Sequence, residues 1–178
     1  MRIIAGKYRH RLIQQPNTPL TRPTKDRIRE AIFSAIGDDV LNRKVLDLFS
    51  GSGAYGLEAL SRGANFVTFI DNNKDANAAL KATISSLQIP LNDYQIIEQD
   101  VLVTKVITKG YSLIFIDPPY NFDSYQELIN LYEQKELFSK DVIIIIESEK
   151  SLMSLFSNYH LKESRYGRTY VTKLWRKI

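Results

Sequence analysis

The 178-residue sequence contains no cysteine and only two histidines, His10 and His160. The first absence excludes a disulfide framework, a thiolate nucleophile and a cysteine-ligated zinc site, and with so few histidines we predict no metal. The longest apolar runs, near Leu113–Ile116 and Val142–Ile146, are far shorter than the roughly 20 residues that span a bilayer. The N-terminus also lacks the apolar core of a secretory signal. We therefore predict a soluble, cytoplasmic protein with a single domain over residues 1–178.

Positive charge is concentrated at the two ends of the chain. The net charge of +4 divides into +6 for residues 1–30, −7 for residues 31–160 and +5 for residues 161–178. If the fold brings the ends together, they form a positive surface suited to a phosphate backbone, although solvated surface charge is the plainer interpretation. Basic and aromatic residues interleave near the N-terminus, which favours nucleic-acid binding: Arg2, Lys7, Tyr8, Arg9, His10 and Arg11.

The first 36 residues predict three consecutive elements. Residues 1–14 suit a small hairpin around Gly6, and the proline-rich segment that follows, up to Pro23, reads as an extended arm. Thr24 can cap a helix that runs to about Ile36, where Gly37 ends it. We therefore divide the chain into an N-terminal hairpin and arm (1–23) and a core (24–178).

From residue 44 onwards, short apolar runs alternate with amphipathic segments. Strands are predicted over residues 45–49, 66–70, 94–99, 111–116 and 142–147, and helices over 54–63, 74–87 and 124–134. The tail lacks helical periodicity and breaks at Gly167, which suggests a closing antiparallel hairpin. This alternation predicts an open, parallel α/β sheet with helices on both faces.

Acidic residues stand at the carboxyl ends of these predicted strands. Four of the strands end at or just before an acidic residue, namely Asp71, Asp100, Asp117 and Glu147. The first strand carries Asp47 two positions before its end. Ligands of open α/β sheets bind beyond the carboxyl ends of the strands. The set therefore predicts a ligand site along one rim of the sheet.

A glycine-rich loop follows the first strand. Gly51, Gly53 and Gly56 match the pattern GxGxxG, which by itself is a weak signal for a dinucleotide site and also fits a structural tight turn. The loop contains no Lys or Arg, and Asp47 would direct a carboxylate toward it, which suits an ammonium group better than a pyrophosphate. Asp71, 24 positions after Asp47, could bind a ribose diol. These features favour a ligand with an amine, a ribose and an adenine, such as S-adenosylmethionine.

The tetrad Asp117-Pro118-Pro119-Tyr120 follows the fourth strand directly. Two prolines remove two N–H donors, so the turn presents acceptors, namely the Asp117 carboxylate and the Pro118 carbonyl. Such acceptors suit a nucleobase amine and would aim its lone pair at an electrophile, while Tyr120 stacks on an unstacked base. A rigid strand-terminal turn is the structural alternative.

The sequence resembles a known family. DLFSGSG, the acids at Asp71 and Asp100, and DPPY in that order resemble S-adenosylmethionine-dependent amino methyltransferases with a seven-stranded Rossmann-like sheet. The segments MRIIAGKYRHR and RPTKDRIREAIFSAI narrow the resemblance to the bacterial 16S ribosomal RNA guanine-N2 methyltransferases of the RsmD type, over nearly the whole chain. DPPY is shared with DNA adenine methyltransferases, so it indicates the chemistry only. Departures from the pattern are minor: Tyr55 stands where a smaller or aliphatic residue is common, and Arg168 adds charge to the last hairpin.

The resemblance implies a role for each matching position. The methionine end of the cofactor would be lined by Asp47, Phe49, Gly51, Ser52 and Gly53, the ribose by Asp71 and Asn72, and the adenine by Asp100 and Val101. The guanine amine would be held by the catalytic set Asp117, Pro118, Pro119 and Tyr120. The N-terminal hairpin and the arm around Arg22–Arg29 would hold RNA, through Arg2, Lys7, Arg9, Arg11, Arg22, Thr24 and Arg27.

The expected reaction is direct methyl transfer to a guanine N2 in 16S rRNA, free or within the 30S subunit or an assembly intermediate, by a monomer. A DNA adenine-N6 methyltransferase is the nearest alternative, but 178 residues leave little room for a sequence-reading domain. A nicotinamide oxidoreductase leaves DPPY unexplained. A non-catalytic RNA-binding or ribosome-assembly protein with a methyltransferase fold is the remaining alternative.

Overall fold

The computed structural model describes residues 1–16, 23–103, 105–106 and 108–177, without the side chains of Pro23 and Thr24. The strands in this part are β1 (Lys44–Leu48), β2 (Phe66–Ile70), β3 (Tyr94–Ile97), β4 (Tyr111–Ile116), β5 (Phe138–Ser148), β6 (Tyr159–Tyr166) and β7 (Thr169–Arg176). They form one sheet in the order β3-β2-β1-β4-β5-β7-β6. β1 to β5 are parallel, and β7 is antiparallel to both of its neighbours. The predicted Rossmann-like, mostly parallel sheet with a C-terminal hairpin is confirmed.

The central strands are apolar because both faces of the sheet are covered. Every residue of β4 is buried, as is the β5 segment from Val142 to Ser148. β5 begins at Phe138, four residues before its predicted start, because Phe138 pairs with Tyr111 ahead of a register shift. β1 lies between β2 and β4. The chain adds β2 and β3 on one side of β1 and β4 and β5 on the other, and this change of direction opens a crevice at the carboxyl ends of the strands.

Four helices pack on the two faces in the described residues: α1 (Pro23–Ile36), α2 (Ala54–Ser61), α3 (Lys74–Leu87) and α4 (Tyr125–Gln134). α1, α2 and α3 contribute to one apolar cluster and α4 contributes to the other. α3 has the predicted bounds, and its Asn73 cap accepts from the Ala76 N–H at 3.0 Å. α1 begins at Pro23, before the predicted cap Thr24, which agrees with the preference of proline for a first helical turn.

The N-terminal segment forms a short hairpin of the kind predicted around Gly6: the Ile3 N–H donates to the Arg11 carbonyl and the Ile13 N–H to the Met1 carbonyl, each at 3.0 Å. Arg2 and Leu12 form an isolated antiparallel bridge, with no continuous strand pair in residues 1–16. The segment is held by α2: the buried Glu58 carboxylate accepts from the backbone N–H groups of Ile4 and Ala5 at 2.8 and 3.0 Å. Gly6 passes so close that an added Cβ would lie 1.8 Å from the Ser61 carbonyl oxygen. Side-chain acceptors on α2 therefore add to the few backbone bonds of this hairpin.

The two basic ends of the chain lie on opposite halves of the sheet. The N-terminal segment contacts α2 and α3, which connect β1, β2 and β3, and it donates from Arg11 to the Ser86 carbonyl at 3.0 Å. The C-terminal hairpin β6–β7 forms the other edge. The N-terminal segment and the C-terminal hairpin therefore pack on different elements of the sheet.

Candidate functional site

The strand register aligns the predicted site residues at one edge of the sheet. Leu48 is level with Ile70 in β2 and Ile116 in β4, and Ile116 is level with Ile146 in β5. The next residue of each strand therefore emerges at the same height: Phe49, Asp71, Asp117 and Glu147. Parallel pairing has brought together four side chains that are far apart in the sequence.

The glycine loop is shaped by two of the predicted glycines. Gly51 and Gly53 have φ of +52° and +82°, conformations that favour glycine, and Gly53 precedes the first turn of α2. The Gly51 N–H donates to Asp71 Oδ2 at 2.8 Å, so the β2 acid holds the loop in place. Gly56 has another role, since an added Cβ would lie 2.3 Å from Phe69 Cε1. It allows α2 to pack closely on β2.

Asp47 is enclosed beneath this loop. Its side chain is 2% exposed, and Oδ2 accepts from the Gly56 N–H at 2.9 Å. Burial raises the pKa of Asp47 to about 8, and the negative charges of Asp117 and Asp71 act in the same direction. The carboxylate therefore anchors the start of α2 and would gain from a nearby positive charge.

The other predicted cofactor residues follow the same rim. Asp71 Oδ1 also accepts from the Asn73 N–H, and Asp100 Oδ1 accepts from the Leu102 N–H, each at 2.8 Å. Asn72 and Asp100 are exposed, whereas Val101 is buried among apolar side chains of the α4 face. Ser52 Oγ accepts from the Gln15 amide at 2.8 Å. The acids present carboxylates at the edge, and their binding roles stay predictions.

The DPPY turn presents open acceptors. Asp117 Oδ2 accepts from the Lys25 ammonium at 2.8 Å, whereas Oδ1 and the Pro118 carbonyl have no hydrogen-bond partner in the described part of the chain. The Pro119 carbonyl accepts from the Phe122 N–H at 3.0 Å and closes the turn. Tyr120 is 64% exposed. The turn can therefore accept two hydrogens beside an aromatic ring.

An aromatic row connects this turn to the glycine loop. Phe49 has φ of +59° and packs edge-on against Phe122 with ring centroids 4.9 Å apart. Phe122 in turn packs edge-on against Tyr125 at 5.0 Å. Phe49 is thus held between the loop and the turn, where an apolar wall is available to a ligand.

Sequence reasoning missed Lys25 as a site residue. Its ion pair with Asp117 joins α1 to the end of β4, 92 positions apart. Burial alone would lower the pKa of Lys25, but the charge and the hydrogen bond of Asp117 raise it above the ordinary value of 10.5. Its position in the RPTKDRIREA segment was the available signal.

A buried Tyr55–Glu147 pair lies next to the same edge. The Tyr55 hydroxyl donates to Glu147 Oε1, and its ring stacks on Phe115 with centroids 5.0 Å apart. Burial and then the charge of Asp117 raise the pKa of Glu147 above its ordinary value. Tyr55 is the position that departs from the family pattern, and this departure was the signal for it.

The predicted RNA-contacting residues separate into groups. Arg2 donates to the His10 carbonyl at 2.8 Å and lines, with Arg11, a surface depression of about 400 Å³. Lys7, Arg9 and Arg27 are exposed. Arg22 and the side chain of Thr24 lie outside the described residues.

Within the Arg22–Arg29 arm, Arg29 is not available to RNA. It is buried, donates to the Arg2 carbonyl at 2.6 Å and lies 3.3 Å from Asp26 Oδ1. α1 uses this arginine to hold the N-terminal segment.

The described residues contain no group of three or more His, Asp or Glu arranged to hold a metal ion. None of their helices combines the length and the apolar character that crossing a membrane requires.

The family model described as conserved hypothetical protein 95 matches residues 1–175. A relative from Buchnera aphidicola subsp. Acyrthosiphon pisum, ribosomal RNA small subunit methyltransferase D, is 39% identical over 150 residues, which cover 83% of this chain and 78% of that protein.

Solved structures share the fold. The structure of yhhF from Escherichia coli, a candidate methyltransferase, has a TM-score of 0.87 and 30% identity and covers 99% of this chain and 98% of its own. SMU.776, a candidate methyltransferase solved with SAH, has a TM-score of 0.68 at 18% identity, over 87% of this chain and 50% of its own. The second likeness concerns the fold alone.

Proposed function

Since the chain belongs to the conserved hypothetical protein 95 family, we propose that it transfers a methyl group from S-adenosylmethionine to the N2 amine of a guanine in 16S rRNA. The Buchnera relative is named as a small-subunit rRNA methyltransferase, which supports this rRNA as the substrate. The choice of guanine N2 is supported by the resemblance of the RPTKDRIREA segment. The rRNA is methylated free or within the 30S subunit or an assembly intermediate.

The loop residues fit the cofactor. The Ser50 hydroxyl is buried without a hydrogen-bond partner in the described residues, and no atom lies within 4 Å of the place of a Gly51 Cβ. The loop thus has open space and an unused polar atom. The methionine end would be held by Asp47, Phe49, Gly51, Ser52 and Gly53, the ribose by Asp71 and Asn72, and the adenine by Asp100 and Val101. The cofactor supplies an electrophilic methyl group.

The arrangement at Asp117 is the observation that carries the proposal. Asp117 Oδ1 and the Pro118 carbonyl are both open to a donor, at the same edge as the glycine loop. Accepting the two amine hydrogens turns the nitrogen lone pair away from the aromatic ring and toward the methyl group. Tyr120 stacks on the base, which must leave its own stack to reach the turn.

Lys25 has a positioning role in this site. Its ammonium holds Asp117 Oδ2 at 2.8 Å and leaves the other oxygen to the substrate amine. It also places a positive charge near Glu147 at the same edge. Lys25 therefore orients the acceptor and offsets the repulsion between Asp117 and Glu147.

The test is transfer of labelled methyl from S-adenosylmethionine to undermethylated 30S particles, naked 16S rRNA or DNA. We expect N2-methylguanine after nucleoside digestion of the ribosomal samples. Asp117→Ala should lower kcat about 100-fold or more, on the scale of removing one oriented transition-state contact. Asp117→Asn retains an acceptor oxygen and should recover part of this loss.

Asp123→Ala is the matched control, because Asp123 is an exposed carboxylate six positions away that pairs with Lys150. Its rate should stay within about twofold of wild type, since surface ion pairs contribute about 0–1 kcal/mol. Methylated adenine in DNA would replace the ribosomal assignment with a DNA substrate. Wild-type rates in Asp117→Ala would overturn the role of the tetrad.

A further inference from the structure

One face of the C-terminal hairpin is left open by the helices. We call it the hairpin face: His160 and Lys162 of β6, Lys173 and Trp175 of β7, and the neighbouring Lys140 of β5. His160 is paired with Trp175 and Lys162 with Lys173, so these four side chains project from the same side of the sheet. A groove of about 360 Å³ is lined by the three lysines and Trp175, together with Asp39, which follows α1.

The lysines of the hairpin face are not used within the described structure. Lys140, Lys162 and Lys173 form no ion pair or side-chain hydrogen bond among the described residues. The acids near the groove are Asp39 and Asp141, and Asp141 is already paired with Arg43 at 2.8 Å. The ammonium groups are therefore available to an anionic partner.

Two of these lysines face each other across neighbouring strands, which lowers the stability of the sheet. Lys162 and Lys173 lie directly opposite each other, and like charges in that relation destabilise a sheet. Protection of an exposed sheet edge explains a lysine on the edge strand β6. It does not explain Lys173, because β7 lies inside the sheet between β5 and β6.

An aromatic pair lies beside the lysines. Trp175 stacks on His160 with ring centroids 5.6 Å apart and an interplanar angle of 26°, yet 37% of its surface remains exposed. Aromatic side chains among basic ones match the composition of surfaces that bind single-stranded or unpaired nucleotides. A protein partner does not require three unpaired ammonium groups around the tryptophan, so the charge favours a phosphate backbone.

The hairpin face lies within reach of the catalytic edge. Trp175 is level with Ile143 in β5, and Glu147 at the edge is four residues further along the same strand. At the rise of a strand this is about 13 Å. We propose that the hairpin face binds the phosphate backbone of the folded rRNA that carries the target guanine, with Trp175 against an unpaired nucleotide. This inference rests on the proposed function and adds a second RNA contact, remote from the N-terminal basic residues.

The test combines binding and fluorescence, because Trp175 is the only tryptophan of the chain. A fragment of 16S rRNA should change the tryptophan emission as it binds. The double variant Lys162→Gln/Lys173→Gln should bind it about 50-fold more weakly at 0.1 M salt, and the slope of log K against log salt should fall by about 2. In transfer assays the KM for RNA should rise while kcat stays within about twofold.

Lys109→Gln/Lys135→Gln removes the same charge from the segments around β4 and α4 and serves as the control, with affinity expected within about twofold of wild type. Unchanged affinity and emission in the presence of normal transfer would overturn the RNA surface and leave the methyltransferase proposal standing. Emission change and lysine-dependent binding without transfer would support the surface and overturn the enzymatic proposal. An emission change that depends on protein concentration alone would assign the face to a second copy of the chain and overturn the inference.

Discussion

Replacement of Asp47 by asparagine should change how the stability of the protein depends on pH. The ordinary pKa of this carboxyl is 3.8, and burial raises it to about 8 in the folded protein. A group with a raised pKa contributes stability that is complete below the unfolded pKa and is lost as the pH rises through the folded pKa. The free energy of unfolding should therefore fall between about pH 4 and pH 8. Asparagine cannot ionise, but its carbonyl can still accept from the Gly56 N–H.

The magnitude follows from the two pKa values. With a folded pKa of about 8, protonation of Asp47 contributes about 2.7 kcal/mol at pH 6 and about 0.4 kcal/mol at pH 8, so the predicted loss is about 2 kcal/mol. Glu147, whose pKa is also raised by burial, changes stability in the same direction. Asp47→Asn should therefore remove most of the slope between pH 6 and 8, and addition of Glu147→Gln should remove the remainder.

Urea unfolding at pH 6, 7, 8 and 9 measures this difference. Asp100→Asn is the matched control, because Asp100 is an exposed carboxyl on the same rim and should leave the wild-type slope intact. A wild-type free energy of unfolding that stays level or rises from pH 6 to 8 would refute the reasoning. So would a slope in Asp47→Asn equal to that of the wild type.

Three further predictions use the same contacts. Gly56→Ala should lower the free energy of unfolding, measured in urea, because overpacking against Phe69 costs about 1–3 kcal/mol and exceeds the gain in helix propensity of about 1 kcal/mol; an unchanged or higher value would show that α2 shifts freely. Tyr55→Phe removes the donor to Glu147 and should cost about 1.5–3 kcal/mol at pH 9 and less at pH 5, where Glu147 is protonated; equal losses at both pH values would contradict this account. Lys25→Met should lower kcat about tenfold with little change in cofactor affinity, and Lys25→Arg should recover part of it; equal kcat values in the two variants would leave Lys25 without a charge-dependent role.

Much of the fold could be predicted because the sheet is covered on both faces. Such strands read as continuous apolar runs, and β2 and β4 have their predicted bounds. Prediction was poorer where burial is partial. The first residues of β5, Phe138 to Asp141, become more exposed along the strand and include a lysine and an aspartate, so the sequence showed no strand there. In the N-terminal segment, the backbone N–H of Ile4 donates to Glu58, 54 positions later in the chain. A contact between residues so far apart cannot be predicted from a local sequence pattern.

The catalytic edge illustrates the same division between local and distant information. A strand end followed by an acid is a local pattern, so the sequence alone is enough to assign Asp71 and Asp117 to one rim. The partners of the acids could not be assigned in this way, because Lys25 reaches Asp117 and Tyr55 reaches Glu147 across 92 positions in each case. The distribution of charge along the chain nevertheless indicates that cations from the N-terminal residues pair with these acids. An excess of acid in residues 31–160, with several of these acids at one edge, requires cations from elsewhere, and residues 1–30 have the excess to supply them. α1 delivers Lys25 to Asp117 in this way. The basic C-terminal hairpin stands at the other edge of the sheet, where Arg176 pairs with Glu133, while Lys162 and Lys173 have no ion pair among the described residues.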